Sequence, residues 1–564
     1  MSPKPASPEM TAKSDAKMVL GALGTAVEAR LAAWDKAEFA ARLWRKDPTL
    51  WSAKPLPEIE DRLDWLDLPT AMRAREAALT AFATEVRGEG IRHVVWMGMG
   101  GSSLAPATFH GLLGIADGYP ELIVLDSTHP VTVEAVAQRI DPALSLFVAA
   151  SKSGTTLETL SQFHFFWDRV ARVAPHPGRH FAAVTDPGTP LEKLGRDRQF
   201  REVFLAMPNL GGRFSALSDF GLLAAALIGA DIGALLRQAG AVATACKAEG
   251  AGDANPGLLL GAILGEAALA GRDKLTLLAS PRMAPFADWL EQLVAESTGK
   301  SDKGILPVAR EPAGAPDRYG ADRLFVALTL AGETEAGDAG AATALAAAGH
   351  PLFRIHLDAP ADVAGEMFRW EVAIAAASAV IGVHPFNQPD VELAKKLARE
   401  VMKEGGKAAA GTQKDETETA GTDAQLAAWL AHARQGGYVA IQAFIPESGE
   451  TTAALQKLRL ALRDGLKLAT TLGYGPRFLH STGQFHKGGF GGGLFLQLTD
   501  DPDDALPIPE AGFSFGKLIT AQALGDYRAL RQRGRDVLRV KLGAPAAGEI
   551  ERLTGRLRAA IGKR

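Results

Sequence analysis

The sequence predicts an α/β protein with two three-layer α/β/α domains built on parallel sheets, a helical N-terminal arm and a C-terminal extension. Three observations carry this prediction. Short apolar runs without polar alternation recur at helix-length intervals, as in strands covered on both faces. Each run is followed within a few residues by Gly, Ser, Thr, Asp or Pro, the residues that end strands. With 564 residues, the chain is too long for a single core of ordinary size.

The elements follow in order. Residues 1 to about 15 read as disordered, and residues 16 to about 88 carry helical periodicity, as in Met18, Leu20, Leu23, Val27 and Leu31. Trp34, Trp44, Trp51 and Trp65 are the expected packing anchors of this arm, which with the tail spans 1–88. The first domain, 89–266, has strand runs at His93 to Met97, Leu122 to Leu125, Leu146 to Ala150, Phe181 to Val184 and, more weakly, Val203 to Ala206. A helical stretch at about 217 to 267 closes it. The second domain, 267–514, has runs at Leu275 to Ala279, Leu324 to Leu328, Leu352 to Leu357, Tyr438 to Phe444 and Leu494 to Leu498. Helices at about 285–297, 362–382, 388–403, 423–434 and 452–471 interleave with them, so two similar open sheets fit. Lys403 to Gly421 is rich in Gly, Ala, Thr and charge and reads as an exposed loop. The extension, 515–564, alternates helix, a short strand at Val537 to Leu542, and a basic-faced helix whose charge reads as a solvated face.

Composition narrows the function. Hydrophobic residues are 47% and charged residues 22%, the balance of a folded soluble chain. Lys plus Arg is 61 and Asp plus Glu is 65, a formal charge of -4, which argues against a protein built to hold nucleic acid. The single cysteine, Cys246, allows no internal disulfide and no Cys-based metal centre, and a reducing cytoplasm is the expectation. The N-terminus lacks a signal-peptide core, and the longest apolar runs fall short of the roughly 18 to 20 residues that span a bilayer. Neither secretion nor membrane insertion is expected.

Two loops after strands are candidates for chemistry, because ligands of open α/β sheets gather outside the strands' carboxyl ends. The first, Gly98-Met99-Gly100-Gly101-Ser102-Ser103, permits a tight turn and lets backbone amides approach an anion at a helix start. It resembles a dinucleotide fingerprint only loosely: the third glycine is displaced and no acidic residue takes the ribose role. A plain strand-to-helix turn is the alternative. The second loop, Ser151-Lys152-Ser153-Gly154-Thr155-Thr156, brings hydroxyls, a lysine and a helix start together, which suits a phosphate monoester. It lacks the spacing of a P-loop.

Single residues are weaker signals. Arg213, beside Gly211 and Gly212, can stabilise developing negative charge on oxygen, or form a surface salt bridge. Glu296, in Glu-Ser-Thr-Gly-Lys at a helix end, has the type of side chain needed to move a proton between adjacent sugar carbons. Lys395 follows Gln388 by seven residues, so two helical turns place both on one face; a solvated lysine is the alternative.

Taken in this order, the five segments resemble the glucose-6-phosphate isomerases. The likeness is closest to the isomerase half of bacterial transaldolase/glucose-6-phosphate isomerase fusions, through Asn387-Gln-Pro, Pro316-Asp-Arg-Tyr-Gly-Ala-Asp-Arg and His480-Ser-Thr-Gly-Gln-Phe-His-Lys. It covers roughly residues 25 to 560, and the short N-terminal arm leaves no room for a transaldolase activity. The resemblance implies two sugar-isomerase domains and reversible interconversion of D-glucose 6-phosphate and D-fructose 6-phosphate through a cis-enediol, without metal or organic cofactor. It further implies a phosphorylated hexose as the ligand and a homodimer. Its phosphate loop matches Ser151, Lys152, Ser153 and Thr156, next to Thr155; its glycine turn matches Gly100, Gly101 and Ser102. Its arginine, proton-transfer base, glutamine and lysine match Arg213, Glu296, Gln388 and Lys395.

One family element is missing. Members place a Gly-Gln-His segment some thirty residues after the glutamate for ring opening, and here the stretch is Tyr319-Gly320-Ala321-Asp322-Arg323-Leu324. His480 or His486, in a polar glycine-rich loop, are the candidates for that role, with His384 a third and no essential histidine the remaining alternative. Activity on mannose 6-phosphate, and a noncatalytic phosphosugar-binding regulator, are the competing functions.

Overall fold

In a computed structural model, residues 18–248, 255–333, 338–403, 421–500, 502 and 506–564 are described. The predicted disordered start and most of the predicted loop from Lys403 to Gly421 lie outside these residues.

The first sheet runs Glu121–Leu125, His93–Gly98, Ser145–Ala150, Phe181–Thr185, Glu202–Leu205, with every neighbour parallel. Each strand lies within a residue or two of its predicted run. Every residue of Ser145–Ala150 is buried, and so is Val94 onward in His93–Gly98, which is why these strands read as unbroken apolar runs. The register sets Gly98 beside Ala150. Consequently the glycine turn and the hydroxyl loop leave the sheet side by side at its carboxyl edge.

The second sheet runs Met18–Val19, Leu352–Leu357, Arg323–Leu330, Lys274–Ala279, Leu306–Val308, parallel except for the first short strand. Leu306–Val308 escaped the sequence reading because it is short and contains Pro307, which an edge position tolerates.

The expectation of two sheets needs correcting. Tyr438–Phe444 and Gly493–Thr499 do not extend the second sheet but form a third, all parallel, ordered Ala469–Tyr474, Tyr438–Phe444, Gly493–Thr499, Asp536–Lys541. The helix expected over 452–471 is Gly449–Leu466; it stops at Lys467, which adopts φ 55, and the chain then turns into the strand Ala469–Tyr474. That strand, Ala-Thr-Thr-Leu-Gly-Tyr, is too polar to stand out as a buried run. The C-terminal extension is thus an integral part of the third sheet, through Asp536–Lys541 and the helix Ala546–Gly562 packed on Gly449–Leu466.

One hydrophobic core joins the N-terminal helices to a face of the first and second sheets, while the third sheet has a core of its own. The arm is pinned by its tryptophans. Trp34 and Trp65 are buried, and the indole N–H groups of Trp44 and Trp51 donate to the carbonyls of Cys246 and Ala375 at 3.0 and 2.8 Å. This anchoring carries the segment with Glu58 and Arg62 to the mouth of the cavity described below. Among the described residues, no helix is long and apolar enough to cross a membrane.

Candidate active site

A cavity of about 850 Å³ opens at the carboxyl edge of the first sheet. The glycine turn, the hydroxyl loop, Arg213, Glu296, Gln388, Lys395 and His480 all line it.

One end is built from backbone. Gly100 adopts φ +55, and a Cβ added to Gly101 would lie 2.0 Å from the carbonyl oxygen of Gly212, so only glycine lets the turn touch the loop that carries Arg213. Ser102 sits in the first turn of the helix Gly101–Leu113 and faces the cavity. Beside it, Gly154 at φ +66 bends the hydroxyl loop into the helix Leu157–Ala171. Thr156 occupies the N-cap position without using its side chain as a cap, so the first-turn N–H groups and the positive end of the helix dipole are available to an anion. The hydroxyls are tied in pairs, Ser151 to Thr156 at 2.8 Å and Ser153 to Thr155 at 2.9 Å. Ser151 itself is buried behind the wall and braces Thr156.

Lys152 is committed to a partner: its amine bonds the Asp186 carboxylate and the Pro208 carbonyl, the latter at 3.0 Å. Burial pushes the Lys152 amine down and the Asp186 carboxyl up, whereas their contact favours the charged pair. The anion-binding character of this end therefore rests on N–H groups and hydroxyls more than on a free lysine.

The opposite end is built from side chains. Glu296 lies in the last turn of the helix Ala284–Thr298, buried, with one carboxylate oxygen 3.3 Å from Arg213 Nη1 and the other accepting from Gln292 Nε2 at 3.0 Å. Arg213, buried in the short turn Gly212–Phe214, also donates to Ser297 Oγ at 2.8 Å, Gln388 Oε1 at 3.1 Å, the Asn387 carbonyl at 3.1 Å and the Pro385 carbonyl. The surface salt bridge considered for Arg213 is ruled out by this burial. Desolvation lowers the pKa of the guanidinium, and the Glu296 charge opposes the shift.

Gln388 and Lys395 do not share a helix face, as the spacing suggested. The helix begins only at Val391, and Gln388 sits in the preceding loop with its carbonyl oxygen on Arg213. Both nevertheless reach the cavity. Lys395 pairs with Glu392 at 2.9 Å and keeps about 42% of its side chain accessible.

The three histidines separate cleanly. His480 faces the cavity, its Nε2 2.8 Å from Glu158 Oε1. His486 does not line it: the ring is buried beside Phe478 and Phe495, and burial drives its pKa well below the usual imidazole value. His384 is also off the cavity wall. Its Nε2 lies 3.1 Å from the Pro57 carbonyl and its Nδ1 accepts from the Phe386 N–H at 3.1 Å; burial lowers its pKa to about 4.

The sequence reading missed Gln292, Glu158 and Gln522 as site residues. Gln292 precedes Glu296 by one helical turn, a spacing that could have flagged it. Glu158, the second residue of the helix after the hydroxyl loop, is buried and binds both His480 and Gln522 through Oε1, each at 2.8 Å. Burial pushes the Glu158 carboxyl up, but the His480 charge and hydrogen bond outweigh it and leave the group below its ordinary value. Gln522 lies 364 residues away in sequence, and no local pattern links the two.

A helix start with free N–H groups at one end of a cavity and a clamped carboxylate at the other are the groups that anion binding and proton transfer require. A family model described as phosphoglucose isomerase matches residues 75–306. A Halobacterium salinarum protein named as a probable glucose-6-phosphate isomerase is 31% identical over 338 residues, spanning 54% of this chain and 78% of that one. A glucose-6-phosphate isomerase of Rubrobacter xylanophilus is 29% identical over 388 residues, 60% of this chain and 89% of that one. Among solved structures, a Thermus thermophilus protein described as hypothetical aligns with a TM-score of 0.59 at 24% identity, covering 68% of this chain and 99% of that one. A Chlamydia trachomatis glucose-6-phosphate isomerase aligns at 0.53 with 18% identity, covering 68% and 87%. The chain belongs to the phosphoglucose isomerase family.

Proposed function

We infer that the protein interconverts D-glucose 6-phosphate and D-fructose 6-phosphate by proton transfer through a cis-enediol. The observation that carries this reading is the Glu296 carboxylate, held between Arg213 and Gln292 in the same cavity as the hydroxyl loop and its helix start.

In this reading the phosphate dianion sits on the N–H groups and hydroxyls of Ser153, Thr155 and Thr156, and residues 89–266 act as the anchoring domain. Glu296, Lys395 and His480, all from segments after residue 267, supply most of the groups that move protons. Ring opening breaks the C1–O5 bond as the proton leaves the C1 hydroxyl and O5 gains one; His480, oriented by Glu158, exchanges these protons, with Lys395 near the ring oxygen. Glu296 then removes the proton from C2 and returns one to C1, while Arg213 stabilises the charge that develops on oxygen. Because Gln292 and Arg213 bind the two oxygens of Glu296, the carboxylate cannot rotate away between the steps.

A homodimer is expected from the family resemblance.

The test is an assay of the purified protein with each sugar phosphate and with mannose 6-phosphate. Interconversion of glucose and fructose 6-phosphates supports the reading. Binding of fructose 6-phosphate without turnover would replace it with the regulator.

A further inference from the structure

The Glu158 carboxylate is held from two sides by groups distant in sequence. Oε1 contacts His480 Nε2 and accepts from Gln522 Nε2, both at 2.8 Å. Gln522, in the helix Phe515–Gln532, is itself fixed: the Thr128 hydroxyl donates to its Oε1 at 2.7 Å. A carboxamide has one accepting end and one donating end. With Thr128 on the oxygen, the NH₂ group is left to face Glu158. All three of Thr128, Glu158 and Gln522 are buried, with Glu158 and Gln522 meeting at the cavity wall.

Resting on the reading of His480 as the ring-opening group, we propose that Gln522, oriented by Thr128, is a positioning residue that keeps Glu158 ionised and fixes His480 as its Nε2–H tautomer. An ionised carboxylate on Nε2 requires that nitrogen to carry the proton. Nδ1 is then the accepting nitrogen, the one able to take the hydroxyl proton of the sugar.

The other charged groups around Glu158 are few. Lys395 and Glu392 come from the helix Val391–Lys403, and Glu296 lies on the cavity wall. Lys487, on the helix Gly483–Gly488, is paired with Asp526 at 2.5 Å, one turn beyond Gln522.

The experiment compares wild type with Gln522→Leu and Thr128→Val. Gln522→Leu removes the amide that donates to Glu158, and Thr128→Val removes only the hydroxyl that holds that amide's oxygen. Loss of the donated bond raises the pKa of Glu158 and moves the acidic limb of the kcat/KM profile to higher pH, by about one unit in Gln522→Leu and by less in Thr128→Val. The same loss is read without turnover by nitrogen NMR of the His480 ring: wild type is expected as the Nε2–H tautomer and Gln522→Leu as a mixture of both tautomers. An unmoved acidic limb together with an unchanged tautomer, in a Gln522→Leu protein that folds as wild type does, overturns the positioning role. If wild type is inactive yet the tautomer mixture still appears in Gln522→Leu, the positioning stands and the isomerase reading falls.

Discussion

The two ends of the cavity are built from different materials. The anchoring end is backbone and small hydroxyls, placed by two adjacent strands whose register sets Gly98 beside Ala150. The end proposed to move protons is long side chains, each held by at least one other: Arg213 on Glu296, Gln292 on Glu296, Glu158 on His480. The first kind of site fails when the chain path changes. The second fails when one partner is lost and leaves a buried group unpaired. Substitutions at the anchoring end should move KM and phosphate affinity, and those at the other end kcat.

The largest effect is expected from Glu296→Gln, which keeps the size of the side chain but removes the base: kcat should fall about a thousandfold, with inorganic phosphate binding close to that of wild type in a calorimetric titration. Arg213→Lys retains a positive charge but cannot span Ser297, Gln388 and the loop carbonyls together. Its kcat should fall about a hundredfold, and the protein should melt earlier. At the anchoring end, Thr156→Val removes one hydroxyl of the loop and the partner of Ser151. KM should rise about tenfold in steady-state assays and kcat should fall much less. A kcat effect as large as that of Arg213→Lys would erase the division between the two ends.

The smallest effect on rate belongs to His384, which lies off the cavity wall. Its folded-state pKa is depressed to about 4 from an ordinary 6.5, so folding favours the neutral ring. The stability linked to it is complete above about pH 6.5 and is lost as pH falls through 4. His384→Gln should leave kcat/KM within about twofold. Its urea midpoint, compared at pH 7 and pH 4.5, should drop less on acidification than that of wild type.

The same division explains what could be read in the sequence. Strands such as Ser145–Ala150 are buried on both faces, so their apolar runs stood out, and the loops after them followed by rule. Ala469–Tyr474 was missed because threonines and glycine occupy it, and with it went the third sheet that delivers His480 and Gln522. Glu296 and Arg213 were recognised through the resemblance, but their mutual contact is a tertiary fact. The three histidines are told apart only by tertiary placement: His486 and His480 share one short segment, yet one packs against Phe478 and Phe495 and the other meets Glu158 in the cavity.

The central claim is that Glu296 carries the proton between the two sugar carbons, and isotope incorporation in heavy water tests it most directly. Starting from fructose 6-phosphate, wild type should give glucose 6-phosphate with deuterium at C2, and Glu296→Gln should give almost none while still binding phosphate. Equal turnover and equal deuterium in the two proteins would contradict the account.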